Sequence, residues 1–516
     1  MTAPVEPADP LAEAVRLHNA GCFAEAERLY RAHLGQNPAD GEAVRLFGLL
    51  ARDLGDLPMA ERLLRLAHAL TPQNAEPLDI LGAILLEQNR PDEASDCFEQ
   101  VLRREPQRAI TWYHLGNARK RAGARHEAIR HYRHALSLAP DHPETHYNLA
   151  NTLRETGQSR PALDHYRATL RLCPDHAAAH YNRSVVLMLT GAWHEGWREY
   201  EWRWRVPGFT TPAHASTAPL WDGAPLAGKT ILLHAEQGLG DTVQFIRYLP
   251  RVAALGGAIL LEVPSTLLRL VRSLDGMPLA CRILTPGEPL PAHDCHAPLM
   301  SLPRLLNATP DRPKIPVPYL HADPSAVQRL RRRLDFEGGR TVGLCWAGNP
   351  DNPNDSLRSL PVALLAPLLE IPGIRFCALQ HGNRMMDPTL PEWRSVVDLL
   401  SGSPDFAATA EAVAALDLIL SVDTAIAHVA GALGKPVWLL LPFPAEWRWG
   451  ESGHQTPWYP TMRLFRQSQS AGWQPLIARV STALIAWSRH PEANPDGEPG
   501  AIGTPDEAPE ATPPGF

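Results

Sequence analysis

The stretch PDHPETHYNLANTLRETGQSRPALDHYRATLRLCP, residues 140–174, decides the fold of the first part of the chain. It begins and ends with prolines that are 34 positions apart, and this spacing recurs along the chain. The prolines in this frame are Pro38, Pro72, Pro106, Pro140 and Pro174. Because proline lacks an amide proton and its ring clashes with the preceding turn, it stops a helix. Each interval therefore predicts one pair of antiparallel helices.

Two further positions of the repeat alternate in size. Small residues stand at Gly48, Gly82, Gly116, Ala150 and Ser184. Large residues stand at Tyr30, Leu64, Phe98, Tyr132, Tyr166 and Tyr200. A small residue lets two helices approach closely, and a large residue fills the seam between them. The pattern resembles the tetratricopeptide repeat (TPR) over residues 7–205, as five full repeats and a partial sixth.

This resemblance implies an α-solenoid with a concave face, lined by the first helices, that binds a peptide or partner protein. The side chains expected on that face are His114, Asn117, Asn148, Asn151 and Asn182. The asparagines resemble the ladder of the nucleocytoplasmic O-GlcNAc transferase, which also joins such repeats to a catalytic domain. The alternative is that they are solvated polar residues on an exposed face.

Composition excludes several classes of protein. The chain has 516 residues and a net charge of −7, which argues against nucleic-acid binding driven by phosphate contacts. No apolar run reaches the length of a transmembrane segment. Seven cysteines lie scattered along the chain, which indicates reduced thiols and a cytoplasmic protein. We expect short tails at 1–6 and 491–516, the latter rich in proline and disordered.

Beyond a connector at 206–228 the periodicity changes. Short apolar runs predict strands at 230–235, 258–263, 341–348, 374–380, 396–399, 416–422 and 435–441. Because they alternate with helical patterns, they indicate parallel sheets covered on both faces. The fold class is therefore α plus α/β, with Rossmann-like units at 229–323 and 338–490 and a linker at 324–337. Ligands of such units bind at the carboxyl ends of the strands.

Three loops fall at or near strand ends. GLGD (238–241) predicts either a plain capped turn or a backbone that faces an anion. SVDTA (421–425) predicts either a helix cap or a diphosphate or ribose contact. The third loop, 443–467, is rich in Trp and Tyr, and its Arg448 and Arg463 are either stacked or paired with phosphate.

The motifs GLGD, an arginine before Pro361 and SVDTAIAHVAGALGKPV (421–437) together resemble the lipopolysaccharide heptosyltransferases. The resemblance, to a family of the glycosyltransferase family 9 type, covers about residues 229–490. It implies a GT-B fold, two Rossmann-like halves that bind a nucleotide sugar in their cleft without a metal. The whole layout resembles bacterial glycosyltransferases that contain TPRs.

The family assigns roles by position. Asp241 matches a catalytic aspartate that would act as general base in an inverting transfer. The matching donor-binding residues are Gly238, Gly240, Arg358, Asp423, Thr424, Ala425 and His428. Gln380 is a further candidate for donor contact, because it ends a predicted strand that faces the cleft. The family's Lys-Arg-Trp-Pro segment reads Leu-Arg-Ser-Leu-Pro at 357–361, so Arg358 takes the cationic role and heptose is a less apt donor.

We therefore expect a glycosyltransferase that moves a sugar from a nucleotide-sugar donor to a hydroxyl of a protein or glycan. No cofactor and no metal are expected, because no paired carboxylates follow a strand. The alternative function is a non-catalytic TPR scaffold whose degenerate GT-B domain mediates protein interaction. A nicotinamide-dependent dehydrogenase is a poor fit, since GLGD lacks the third glycine of that fingerprint.

Overall fold

The computed structural model describes residues 9–489, except 210, 212–213, 313–314, 336–338, 353–354, 382–392, 394 and 469–471. The predicted tails at 1–6 and 491–516 lie outside the described residues. The chain divides into two compact units at the Val186–Leu187 bond. This division precedes the predicted end of the repeats at 205, because the last helix of the array packs within the second unit.

The first part of the chain is a series of helix pairs, as the proline frame predicts. The helices are α1 (Pro10–Asn19), α2 (Phe23–Gln36), α3 (Gly41–Asp53), α4 (Leu57–Leu70), α5 (Glu76–Glu87), α6 (Pro91–Arg104), α7 (Ala109–Arg121), α8 (Arg125–Leu138), α9 (Pro143–Glu155), α10 (Ser159–Leu172), α11 (Ala177–Leu189) and α12 (Trp193–Tyr200). Each pair corresponds to one repeat, and the sixth pair ends with the short helix α12.

The small and large positions meet as the sequence predicts. A Cβ on Gly82 would lie 2.5 Å from the Phe98 ring, and one on Gly116 would lie 2.5 Å from the Tyr132 ring. Both aromatic side chains are fully buried. The glycines therefore set the distance between the two helices of a repeat, and the rings fill the space that this leaves.

Aromatic residues fix α12 in the second unit. The Trp197 ring packs edge-on against Phe245 (5.8 Å between centroids) and Trp447 (5.3 Å). A 3-10 helix follows at Glu201–Arg205, and its Arg203 forms a buried, bidentate ion pair with Glu236. The tryptophan-rich segment is therefore an anchor and not a free linker.

The first sheet of the second unit has four parallel strands. They are β1 (Thr230–His234), β2 (Ala258–Glu262), β3 (Cys281–Leu284) and β4 (Cys295–Pro298), in the order β3-β2-β1-β4. The accompanying helices are α13 (Leu239–Phe245), α14 (Leu249–Ala253), α15 (Leu268–Val271) and α16 (Leu302–Leu305). Of these strands β1 and β2 were predicted, whereas β3 and β4 were not.

The predicted linker at 324–337 contains a helix, α17 (Pro324–Leu334). Asp323 caps it by accepting hydrogen bonds from the amides of Ser325 (2.7 Å) and Ala326 (3.0 Å). Proline at the first helical position suits this start. The aspartate-proline pair was therefore a helix signal inside the segment interpreted as a linker.

The second sheet has six parallel strands. They are β5 (Arg340–Cys345), β6 (Ile374–Ala378), β7 (Val397–Asp398), β8 (Leu418–Val422), β9 (Val437–Leu441) and β10 (Met462–Arg466). The helices are α18 (Asp355–Arg358), α19 (Ala366–Leu369), α20 (Phe406–Ala415), α21 (Ala425–Ala432) and α22 (Gln474–Arg489). The order β10-β9-β8-β5-β6-β7 is that of a doubly wound sheet, with its switch point between β5 and β8.

Within the described ranges, no helix is long and apolar enough to span a bilayer.

Candidate functional site

Two of the three loops singled out in the sequence come together in the second unit. GLGD leads from β1 into α13, and SVDTA leads from β8 into α21. A Cβ on Gly240 would lie 2.7 Å from Cδ2 of His428 and 3.4 Å from Cα of Ala425. The absence of a side chain at Gly240 therefore lets α13 pack directly on α21. Both loops follow the carboxyl ends of parallel strands, where ligands of such sheets bind.

Asp241 is held by two partners. Its Oδ2 accepts a hydrogen bond from the amide of Gly238 (2.9 Å), which caps the start of α13. Its Oδ1 forms an ion pair with the Arg448 guanidinium, on the loop after β9. The ion pair joins the first sheet's loop to that of the second sheet, and it places the predicted base beside a cation.

Arg448 is the centre of this site. Its Nε donates to Oε1 of Gln244 (2.7 Å) and its Nη1 donates to Oε1 of Glu446 (2.7 Å). The guanidinium also stacks on the Trp447 ring at 4.1 Å. Of the alternatives weighed for this arginine from the sequence, the structure shows the stacked one, and the guanidinium is paired with protein carboxylates; phosphate binding stays a prediction. Arg463, by contrast, stacks on Trp438 and Phe465 from β10.

Two carboxyl groups near Arg448 have raised pKa values. Burial raises the pKa of Glu446 to about 8, although the charge of Arg448 opposes the shift. Burial also raises the pKa of Asp423 above its ordinary value.

His428 lies in the core beneath this site. Its Nδ1 is 2.9 Å from the Tyr459 hydroxyl, and its ring packs against Trp449 at 5.5 Å. Burial holds the pKa of His428 well below its ordinary value, so the imidazole is neutral. The structure thus places this predicted donor-binding residue where it supports α21.

The start of α21 lies above the switch point of the second sheet. Cys345 at the end of β5 pairs in register with Ser421 on β8. The Thr424 hydroxyl reaches both, at 3.2 Å from the Ser421 hydroxyl and 3.5 Å from the Cys345 sulfur. Ala425 begins the helix, and the backbone amides of its first turn form the positive end of the helix dipole.

Two other predicted residues flank the loop after β5. A Cβ on Gly348 would lie 2.6 Å from Nη2 of Arg358, so this guanidinium lies directly over the loop backbone. Gln380 is 8% exposed, and it binds both polar groups of Ala347, donating to the carbonyl (3.0 Å) and accepting from the amide (3.1 Å). Gln380 therefore holds the loop in place, and both ends of its side-chain amide are engaged in doing so.

The asparagines of the first unit form a ladder that links successive repeats. Asn148 donates to Oδ1 of Asn117 (3.0 Å), and Asn182 donates to Oδ1 of Asn151 (3.0 Å). The hydroxyls of Tyr132 and Tyr166 donate to the same two acceptors. His114 occupies the equivalent position one repeat earlier, with Nδ1 3.7 Å from Asp79. The asparagines of the ladder are thus hydrogen-bonded to one another and to tyrosines, and they are more than solvated polar residues on an exposed face.

Sequence reasoning missed Glu446 and Gln244, the two other groups that bind Arg448. Glu446 lies in the segment EWRWG (446–450), where an acidic and a positively charged residue alternate with tryptophans. Gln244 lies three positions after Asp241 on α13, so it falls on the same helix face. That spacing is the signal by which it could have been found.

The family models match within the first unit, and one curated relative matches most of the chain. Two family models described as tetratricopeptide repeat match residues 75–108 and 107–175. Protein FlbA of Caulobacter vibrioides is 29% identical over 500 residues, which covers 91% of this chain and 83% of that protein.

Among solved structures, similar chains include pilF of Pseudomonas aeruginosa and a MamA protein from Desulfovibrio magneticus RS-1. The first is 18% identical, with a TM-score of 0.35, and the match covers 38% of this chain and 88% of that chain. The second is 22% identical, with a TM-score of 0.31, over 32% and 94%. With the repeat matches and the helix pairs together, the first unit is an array of tetratricopeptide repeats, and an α/β domain with parallel sheets follows it.

Proposed function

We propose that the chain is an inverting glycosyltransferase of the GT-B type, which transfers a sugar from a nucleotide-sugar donor to a hydroxyl of a protein or glycan. The observation that carries this proposal is the convergence of two motifs from different sheets. Gly240 packs against His428, and Asp241 pairs with Arg448. The Asp241 carboxylate, the Arg448 guanidinium and the start of α21 therefore lie together, beyond the carboxyl ends of the strands.

In the proposed reaction Asp241 is the general base. The acceptor oxygen attacks the anomeric carbon while its proton passes to the Asp241 carboxylate. The bond from that carbon to the diphosphate oxygen breaks, and the electron pair leaves with the nucleoside diphosphate. The new bond forms on the opposite face of the sugar, so the configuration inverts.

Charge on the leaving diphosphate is balanced by the second sheet's residues. The first amides of α21, from Ala425 onward, and the guanidiniums of Arg358 and Arg448 supply this positive potential. Because arginine pairs with phosphate oxygens bidentately, the diphosphate competes with Asp241 for Arg448. Donor binding would thereby release Oδ1 of Asp241 to accept the proton. No metal is needed in this scheme.

The repeats are suited to a peptide or protein, which is either the acceptor or a separate partner. Asn148 and Asn182 each use both donors of the side-chain amide, one on a tyrosine hydroxyl and one on the asparagine of the preceding repeat. The Oδ1 of each can still accept a hydrogen bond from the amide of an extended backbone. We place the reaction in the cytoplasm, because all seven cysteines are free thiols.

The test is a thermal-shift screen of the purified protein against UDP-, GDP-, ADP-, CMP- and dTDP-sugars. A ligand that binds only the folded state stabilises it by mass action and so raises the melting temperature. At a ligand concentration of 100 times the Kd, the unfolding free energy rises by about 2.7 kcal/mol. We expect one donor to stabilise the wild type and the Arg282→Ala control, whose arginine is exposed on β3. Asp423→Ala and Arg358→Ala should lose the shift, and Asp241→Ala should retain binding but lose transfer.

The same screen separates this proposal from its alternative. If no nucleotide sugar shifts the melting temperature at millimolar concentration, the transferase proposal fails. A non-catalytic TPR scaffold is then favoured, and the Asp241–Arg448 ion pair would be a structural contact between the two sheets. Capture of a partner by the wild type but not by an Asn148→Ala, Asn182→Ala variant would support that alternative.

A further inference from the structure

Three histidines and a glutamate meet at the first sheet, away from the groups that bind Arg448. They are His214 from the connector, His234 at the end of β1, Glu262 at the end of β2 and His296 on β4. We call these four residues the histidine cluster. Nothing in the proposed transfer uses them, so they need an explanation of their own.

The sheet register brings three of the four side chains to one face. His234 pairs directly with Glu262 on β2. His296 pairs with Leu232, two residues before His234 on the same strand. Since side chains alternate between faces with a period of two, His234, Glu262 and His296 project on the same side of the sheet. The connector then stacks His214 on His234, with ring centroids 4.3 Å apart.

The spacing of the side-chain atoms suits a tetrahedral metal ion. Nε2 of His234 lies 3.2 Å from Nδ1 of His296, and Nε2 of His214 lies 3.4 Å from Oε1 of Glu262. Ligand atoms of the three histidines all lie within 4.8 Å of one another. Two nitrogens at about 2.0–2.1 Å from a tetrahedral zinc ion are about 3.3 Å apart. Both close pairs in the cluster match that separation, whereas the Glu262 carboxylate lies outside the group of ligand atoms that are all within 4.8 Å of one another.

The charge of the cluster also fits a divalent cation. Glu262 adds a carboxylate, whose Oε1 lies 3.4 Å from Nε2 of His214. Neutral imidazole is a preferred ligand of zinc and of other late first-row divalent metals.

We propose that the histidine cluster is a structural zinc site with three imidazole ligands and one carboxylate ligand. The ion would tie the connector to the carboxyl ends of β1 and β2. In the structure His214 Nδ1 accepts from the amide of Ser216 (3.0 Å), so Nε2 carries the proton. Coordination through Nε2 moves that proton and opens the Ser216 contact. The site is independent of the proposed glycosyl transfer, which does not require it.

The test measures metal binding by the full chain, purified with a streptavidin-binding tag because a polyhistidine tag would itself bind zinc. The protein is stripped with a chelator and titrated with Zn²⁺ against a chromophoric competitor. We expect about one zinc ion per chain, with a Kd below about 1 μM. Bound Co²⁺ should give the intense visible bands of a tetrahedral site.

Variants assign the ligands. His214→Ala lies in the connector and is the variant least able to disturb the sheet, and Glu262→Gln keeps the size of its side chain. Loss of a mere supporting group weakens metal affinity by about 10–100-fold, so each change should weaken zinc binding by at least about 100-fold. The matched control is His321→Ala, because His321 pairs with Asp275 outside the cluster.

Two results would overturn the proposal: wild-type affinity for zinc in a His214→Ala, Glu262→Gln double variant that melts cooperatively, or a weak octahedral Co²⁺ spectrum for the wild type. The nucleotide-sugar screen, repeated on chelated protein, keeps the two proposals separate. A donor shift without zinc binding removes only the metal site, and zinc binding without a donor shift removes only the transferase.

Discussion

Replacing Gly240 with alanine is the sharpest test of how the two halves of the site are joined. The added Cβ would lie 2.7 Å from Cδ2 of His428, whereas non-bonded carbons prefer about 3.5–4.0 Å. The ring cannot easily move aside, because Tyr459 binds its Nδ1 and Trp449 packs against its face. The strain must therefore separate α13 from α21.

The expected loss of stability follows from two opposing effects. Overpacking a close contact destabilises a protein by about 1–3 kcal/mol. Alanine is a better helix former than glycine by up to about 1 kcal/mol, which offsets part of this. We expect a net loss of about 1–2 kcal/mol. By calorimetry this lowers the melting temperature of the second unit by about 2–4 °C for each kcal/mol.

A control and a double-mutant cycle make the prediction specific. Gly35→Ala lies in α2 with no atom within 4 Å of the added Cβ, so it should be neutral or stabilising. In a His428→Ala background the clash has no partner, and Gly240→Ala should then cost about 1–2 kcal/mol less. Strictly additive effects of Gly240→Ala and His428→Ala would refute the packing argument, since residues in contact couple by about 0.5–3 kcal/mol.

Three further changes test neighbouring contacts. Arg448→Met leaves Asp241 and Glu446 without their cation. The unfolding free energy measured in urea should fall by about 3 kcal/mol, as when a buried ion pair is broken. An unchanged value would mean that the ion pair contributes little to stability. Because folding raises the pKa of Glu446 to about 8, the folded state binds its proton more tightly, so wild-type stability should fall as pH rises from about 4.5 to 8. A Glu446→Gln variant with the same pH slope as the wild type would contradict that assignment. In the repeats, Gly116→Ala puts a Cβ 2.5 Å from the Tyr132 ring. It should destabilise the first unit by about 1–3 kcal/mol, as measured by circular dichroism. A variant as stable as the wild type would contradict the close approach of the two helices at this position.

The sequence predicted the interior of the fold better than its edges. Central strands such as β1, β5, β8 and β9 are continuous apolar runs, and each was located. The missed strands β3, β4 and β10 all lie at sheet edges. An edge strand has neighbours on one side only, so its composition is mixed and its pattern weak. The Pro-containing β4 and the Arg-flanked β10 are examples.

The site was predictable in its loops and not in its contacts. Motifs identify residues near a strand end in sequence, which is how Asp241 and Asp423 were found. The pairing of Asp241 with Arg448 joins positions 207 apart, and no local pattern encodes such a distance. The histidine cluster escaped for the same reason, since His234 and His296 are 62 positions apart and meet only through the register of β1 and β4.

The stability of the junction between the two sheets and the proposed donor binding both depend on the Arg448 side chain. It binds Asp241 and Gln244 of α13 and Glu446 of its own loop, so its removal would loosen the junction between the sheets. A diphosphate is a stronger partner for a guanidinium than a single carboxylate, because it offers more oxygens and more charge. Donor binding and release of Asp241 would then be one event. In a pure scaffold no ligand competes for Arg448, and the ion pair with Asp241 would persist under every condition that keeps the second unit folded.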